Sequence, residues 1–169
     1  MTHPVTETPA HGFWPARRLQ LAIDPRADPY RVKRKLRGDH VCPGCGLLYR
    51  DGRWQHGTAP ADTTETTCPA CRRAEDGQPA GIVTITGPFA YDHRADVIAT
   101  ARHFTDRVRA EHPLQRIMVI DEHDDRLVIT TSDVHLAQGI GRSLQRAFRG
   151  RLHYRFAEDE YLLRVDWAA

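Results

Sequence analysis

Four cysteines in two close pairs are the residues of this sequence whose chemistry is easiest to recognise. Cys42 and Cys45 are separated by two residues, and Cys68 and Cys71 repeat that spacing after an interval of 22 residues. Two intervening residues allow a tight turn to direct both sulfurs at one ion, and four thiolates complete a tetrahedron without an open position. The spacing therefore predicts one structural Zn²⁺ per chain. An iron site of the same geometry and four unrelated buried thiols are the alternatives.

The residues between and around these pairs predict a zinc-ribbon-like unit over residues 39–74. Gly46 directly follows the first pair and can adopt the left-handed backbone that such a turn needs. Asp51-Gly52 is a strong signal for a two-residue turn, so a small hairpin should follow the first pair. Because the unit has few large apolar residues, we expect it to depend on the metal for folding.

The rest of the chain lacks the pattern of a catalytic site. None of its ten histidines lies in a recognised catalytic motif, and no fifth cysteine remains as a nucleophile. His40 and His56 lie near the cysteines, where we expect them to support the ligands or to be exposed. The sequence therefore favours a non-enzymatic protein without a small-molecule substrate.

Positive charge is concentrated ahead of the cysteines. The formal net charge is +2, but residues 1–40 alone carry eight Lys or Arg against four Asp or Glu. A basic arm ahead of a near-neutral body favours a polyanionic partner, nucleic acid before membrane, with a solubilising tail as the alternative. For Trp54, packing against the hairpin is favoured over base stacking. The candidate nucleic-acid contacts are Arg31, Lys33, Arg34, Lys35 and Arg37 in the arm, and Arg50, Arg53, Trp54, Arg72 and Arg73 in the cysteine unit.

Composition divides the chain into three parts and suggests a compartment. Residues 1–38 read as a basic, largely extended arm, residues 39–74 as the cysteine unit, and residues 81–169 as an α+β domain. No apolar run approaches the ~20 residues that span a bilayer, and the start does not resemble a secretory signal. We therefore expect a cytoplasmic protein, in which paired cysteines favour a metal over disulfides.

Apolar spacing in residues 81–169 predicts the order βαββαββ. The first helix should begin at Asp92, and the second should be capped by Ser132 or Asp133. The first six elements match a ferredoxin-like, split-βαβ sandwich, with an extra C-terminal strand added at an edge of the sheet. Gly139 and Gly141 should permit close packing. The predicted core includes Phe104, Ile117, Ile129, Leu136, Ile140, Leu144, Ala147 and Phe148, and the sheet face away from the helices should present His153, Arg155, Arg164 and Asp166.

Several motifs taken together resemble a known family. The segments DPYRVKRKLRG, CPGCGLLYRDGRWQHG, CPACRR and ITTSDVHLAQGIGRSL resemble those of a family of small bacterial zinc-ribbon proteins, over nearly the whole chain from about Asp28. More distantly, paired knuckles followed by α+β elements resemble the nuclear export adaptor family of the large ribosomal subunit. That resemblance implies metal binding by the four cysteines and association with ribosomal particles.

The leading functional hypothesis is a zinc-stabilised RNA-binding protein that associates with a ribosomal subunit. A protein–protein interaction adaptor with the same structural zinc is the second hypothesis. A DNA-binding regulator is third, because no helix-turn-helix signature is present. The low net charge counts against the first hypothesis, and the oligomeric state is left open.

Overall fold

A computed structural model describes residues 28–32, 35–157 and 160–169 of the chain. Lys33 and Arg34, two of the predicted nucleic-acid contacts, lie outside the described residues. Residues 1–27 of the predicted arm also lie outside them. In these described ranges, two sheets and four helices give the α+β fold class that the sequence predicted. Within the described ranges, no helix has both the length and the apolar character needed to cross a membrane.

The first sheet and the first helix form the cysteine unit that the sequence predicted over residues 39–74. Because the helix ends at Glu75 and is capped by Asp76, we call residues 39–76 the metal unit. The strand order is β3-β2-β1-β4, and the turn residues Asp51 and Gly52 both have positive φ, 55° and 82°. The hairpin predicted at this turn is therefore confirmed. The elements are β1 His40–Val41, β2 Leu48–Arg50, β3 Arg53–Gln55, β4 Thr64–Glu65 and α1 Pro69–Glu75.

The second sheet and three helices form what we call the C-terminal domain (residues 81–169). Its five strands have the order β6-β7-β5-β9-β8. The parallel strands β5 and β6 are joined through α3 and have β7 between them, which is the predicted split-βαβ arrangement. The elements are β5 Gly81–Thr86, α2 Pro88–Asp92, α3 Arg94–Glu111, β6 Ile117–Glu122, β7 Arg126–Thr131, α4 Val134–Phe148, β8 Arg151–Phe156 and β9 Leu163–Ala168.

The extra C-terminal strand is present, but its predicted place at the edge of the sheet is wrong. β9 lies between β5 and β8, parallel to β5 and antiparallel to β8. Its inward residues Leu163, Val165 and Trp167 are fully buried, whereas those of β8 are partly buried. The strand with the larger apolar face thus occupies the interior position, and β8 becomes the edge.

The predicted start of the first long helix also needs correction. Asp92 ends the short helix α2, and α3 begins after His93 without a side-chain cap. Pro88, at the first position of α2, starts helical structure earlier, because its fixed φ suits a helix N-terminus. In α4 the expected cap is confirmed, since Asp133 accepts hydrogen bonds from the backbone N–H groups of His135 and Leu136, at 2.8 and 3.1 Å.

The helices α3 and α4 pack on one face of the sheet and enclose the core. Gly139 and Gly141 permit this packing, because a Cβ on Gly141 would lie 2.6 Å from Val165 and one on Gly139 would clash with Phe104. Ala147 is exposed, contrary to prediction, because Phe148 fills the inward position of the last turn against Phe89 and Trp167. Of the other predicted core residues, Ile129, Leu136, Ile140 and Leu144 are fully buried, while Phe104, Ile117 and Phe148 are only partly buried.

Replacement of Leu144 tests this core. Leu144 is completely buried, so Leu144→Ala removes apolar contacts and leaves a cavity. We expect the free energy of unfolding to fall by about 2–5 kcal/mol in chemical denaturation. The matched control is Gln145→Ala, one position along the same helix and exposed, which should change the free energy by less than about 0.5 kcal/mol. Equal effects of the two substitutions would contradict the described packing.

Candidate metal centre

The four cysteine sulfurs converge on one point inside the metal unit. The Sγ atoms of Cys42, Cys45, Cys68 and Cys71 all lie within 4.8 Å of one another, and no disulfide joins them. The Cys45 and Cys68 sulfurs are 3.7 Å apart. A metal–sulfur bond of about 2.3 Å places the sulfurs of a tetrahedral site about 3.8 Å apart, so the arrangement fits a four-coordinate metal ion.

The first pair of ligands is positioned by a tight turn between β1 and β2. The turn is closed by two backbone hydrogen bonds of 2.8 Å, one from the Cys42 N–H to the Leu47 carbonyl and one from the Gly46 N–H to the Cys42 carbonyl. Gly46 has a φ of 73°, which confirms the left-handed conformation expected from its place in the sequence. This turn directs both sulfurs of the pair to the same side.

The second pair is positioned by the start of α1, a helix that was not predicted from the sequence. Cys68 is the N-cap residue, and its sulfur accepts a hydrogen bond from the Cys71 backbone N–H at 3.4 Å. Pro69 at the first helical position was the available signal, because proline favours helix N-termini. One turn of helix therefore places both sulfurs on the same end of α1, facing the first pair.

Backbone N–H groups and burial act in opposite directions on the thiols. Burial opposes ionisation of Cys42, but N–H groups of Cys68, Cys45 and Gly44 directed at its sulfur lower the pKa of this thiol to about 7. Burial raises the pKa of the Cys68 thiol, and it also raises that of Cys45. Four thiols this close therefore need a cation to be ionised together, which is the condition for metal binding.

An arginine of the C-terminal domain supplies positive charge behind the sulfurs. Arg116 lies in the loop between α3 and β6, and its guanidinium donates hydrogen bonds to the sulfurs of Cys68 and Cys71 at 3.5 and 3.3 Å. Burial disfavours the charged form, but the contact with Cys71 and the neighbouring sulfurs raises the pKa of Arg116. Ser132 holds this loop, since its hydroxyl accepts from the Arg116 N–H at 2.8 Å and donates to the Leu114 carbonyl at 2.6 Å.

The centre has the chemistry of a closed site. Three of its four sulfur-bearing residues are buried, and four protein ligands leave no coordination position for a substrate. Around the sulfurs lies a small apolar cluster that includes Leu47, Tyr49 and Ala70, with Leu36 and Leu114 packed against it. An ion held here would stabilise the metal unit and its contact with the C-terminal domain.

Two of the predicted nucleic-acid contacts are wrong because their side chains are buried. Trp54 is 7% exposed and packs edge-to-face on Tyr49 with the ring centroids 5.4 Å apart, as the packing interpretation expected. Arg73 is 3% exposed, forms an ion pair with Asp28 and lies over the ring of Tyr30, 4.3 Å from its centroid. Trp54 is covered by a residue across the hairpin, and Arg73 by residues that are distant in the sequence.

The other predicted contacts of the metal unit differ in exposure. Arg50 is half-buried and donates from Nε to Asp39 at 2.9 Å, so its charge is already paired. Arg53 lies at the tip of the hairpin and Arg72 on α1, and both are exposed. Neither has a side-chain ion pair or hydrogen bond with a residue in the described ranges.

The described part of the predicted arm is anchored to the metal unit rather than extended away from it. The Tyr30 hydroxyl donates to Asp76 at 2.7 Å, and the Leu36 N–H donates to the Tyr49 hydroxyl at 3.3 Å. Leu36 also packs on the apolar cluster around the sulfurs. The boundary predicted at residue 38 therefore does not separate the basic segment from the metal unit. Arg31, Lys35 and Arg37 remain exposed along the anchored segment.

The two nearby histidines make structural contacts and do not replace a ligand. His40 uses Nδ1 with the Thr66 hydroxyl at 2.9 Å and Nε2 with the Arg37 carbonyl at 3.0 Å. His56 contacts the carbonyl of Arg109 on α3 at 2.9 Å. His40 thus fixes the end of the basic segment, and His56 joins the hairpin to the C-terminal domain.

The chain has no match in two comparisons with known proteins. No protein-family model matches the chain, and no curated protein matches it significantly. The resemblance described above therefore stays a hypothesis that rests on the sequence motifs.

Removal of the Arg116 charge tests its role at the centre. A divalent ion with four thiolates carries excess negative charge, so Arg116→Met should weaken metal binding by about 10–100-fold, the range for residues that contact metal ligands. Competition with a chromophoric chelator measures this affinity. Arg102→Met is the matched control, because Arg102 is an exposed arginine of α3 without a contact to the cysteines. Equal affinities for the two variants would show that Arg116 does not stabilise the bound metal.

Proposed function

We propose that this protein is a non-enzymatic, zinc-stabilised RNA-binding protein that associates with a ribosomal subunit. The observation that carries the proposal is the anchoring of the basic segment, described over residues 28–32 and 35–38, on the metal unit that surrounds the four cysteines. Its anchors are Tyr30 and Leu36, while Arg31, Lys35 and Arg37 stay exposed. A metal that fixes the anchors also fixes the place of these cations.

Zinc is the metal that suits this centre best. Four thiolates in a tetrahedral arrangement without an open position are typical of structural Zn²⁺, which has no redox chemistry and accepts this geometry readily. Bound zinc would supply folding free energy to a unit whose apolar cluster is small. The excess negative charge of such a centre would be partly offset by Arg116, which touches two of its sulfurs.

Elemental analysis tests the identity of the metal. We expect one zinc per chain in the purified protein, because the four sulfurs form one site. Cys68→Ser should lose the metal, since it removes one thiolate ligand, while a serine at this position can still cap α1. The matched control is Thr67→Ser, a substitution one residue away that removes no ligand and should keep one zinc. Another metal at full occupancy, or none, would contradict this part of the proposal.

The exposed cations suit contacts with phosphates. The Lys35 side chain lies close to Gly52, the residue that precedes Arg53 in the hairpin. The charges of the basic segment therefore lie near the hairpin tip. Arginine and lysine contacts to phosphates position an RNA without reading its sequence. The ribosomal subunit enters the proposal through the motif resemblance, and a protein partner on the same surface is the alternative to be tested.

Co-sedimentation with ribosomal subunits across a salt series tests the proposed function. The basic-segment variant carries Arg31→Gln, Lys35→Gln and Arg37→Gln. Each lost phosphate contact lowers the magnitude of the salt slope by about 0.7 for single strands, so we expect a decrease of about 2. The matched control removes three exposed charges from the helices: Arg102→Gln, Arg109→Gln and Arg146→Gln.

The outcomes separate RNA from protein as the partner. Association that is steep in salt, sensitive to nuclease and weakened in the basic-segment variant alone supports the proposal. Association that resists nuclease and depends little on salt would contradict it and favour the adaptor function. A basic-segment variant that behaves like the helix control would refute the role of these residues.

A further inference from the structure

The open face of the second sheet carries a row of cations along its edge strand. Residues of β8 alternate in exposure, so Arg151, His153 and Arg155 share the face turned away from the helices. Arg164 of the neighbouring strand β9 lies directly opposite Arg155. All four side chains are exposed, as the sequence predicted for three of them.

This row contains a charge arrangement that is unfavourable in the free protein. Arg155 and Arg164 are cross-strand neighbours of the same charge, and such pairs destabilise a sheet. Within the described ranges, neither guanidinium has an ion pair or a side-chain hydrogen bond. Asp166 is the acidic residue of β9 on this face, and it lies opposite His153 rather than between the arginines. The row is therefore complementary to an anion.

The spacing of the row suits a chain of regularly placed charges. Alternate residues of an antiparallel strand are about 7 Å apart, so the cations of β8 follow one another at an even interval. An extended nucleic-acid strand has phosphates at comparable, even intervals. The outer edge of β8 also has no neighbouring strand among the described residues, and its backbone N–H groups can donate to phosphate oxygens.

A peptide strand is a poorer occupant of the same edge. Charged side chains along an edge strand discourage the pairing of another strand, and a flat row of cations has no pockets for apolar side chains. The large rings of β8 and β9, Tyr154, Phe156 and Trp167, face the helices. The chemistry available along the exposed side of β8 is therefore that of phosphate contacts.

We infer that the open face of β8 and β9, with Arg151, His153, Arg155 and Arg164, binds the phosphate backbone of single-stranded RNA. This inference rests on the proposed function and adds to it a second surface, separate in the chain from the basic segment. Binding through phosphates is largely independent of sequence and falls with salt.

The test compares three variants of the full-length, metal-loaded protein. The sheet-face variant carries Arg151→Gln, Arg155→Gln and Arg164→Gln. The basic-segment variant and the helix control described above each lose the same number of charges. Binding of a fluorescent oligouridylate is followed by anisotropy across a salt series. We expect the magnitude of the salt slope to fall by about 2 in the sheet-face variant and to stay at the wild-type value in the helix control.

Each outcome decides the inference. A sheet-face variant that matches the helix control, while the basic-segment variant is weakened, would overturn the inference and leave the proposed function standing. Wild-type protein that does not bind the oligonucleotide would contradict both. Displacement of the oligonucleotide by polyglutamate as effectively as by unlabelled RNA would replace RNA with an acidic protein. Thermal melting shows that the variant is folded, and loss of the Arg155–Arg164 repulsion should keep its melting temperature at or above that of the wild type.

Discussion

Four sulfur atoms that must meet at one point determine the arrangement of the first half of the described chain. Two of them come from a turn between strands and two from the first turn of α1, so neither pair can be positioned without the other. Four ionised thiols at this distance repel one another, and a bound cation removes that repulsion. The hairpin, the helix and the segment anchored to Tyr49 all depend on this meeting point.

Arg116 links the metal unit to the C-terminal domain. Its guanidinium contacts two of the sulfurs, while its backbone is held by Ser132 just before α4. A second link runs from His56 to the end of α3. The C-terminal domain has its own core around Trp167 and Leu144, and we expect that core to form without the metal unit.

Features that depend on neighbours in the sequence could be predicted. The cysteine spacing predicted the four clustered cysteines, and Asp51-Gly52 predicted the hairpin. The alternation of apolar and polar residues predicted which face of each strand is buried. Each of these signals acts over a few residues. Features that depend on partners distant in the sequence could not be predicted. Arg73 is buried by Asp28, 45 residues away, and Arg116 reaches Cys68 over 48 residues. The interior position of β9 likewise depends on pairing with β5, far away in the chain.

A metal held by the four cysteines would fix the basic segment in place, and this is our central proposal. Amide hydrogen exchange, compared between metal-loaded and metal-stripped protein, tests it most directly. We expect removal of the metal to abolish protection at Leu36 and at Cys42, whose N–H groups are bonded within the metal unit. Protection in β5 and α4 should persist, because their core is separate. Equal protection of Leu36 with and without the metal would contradict the claim.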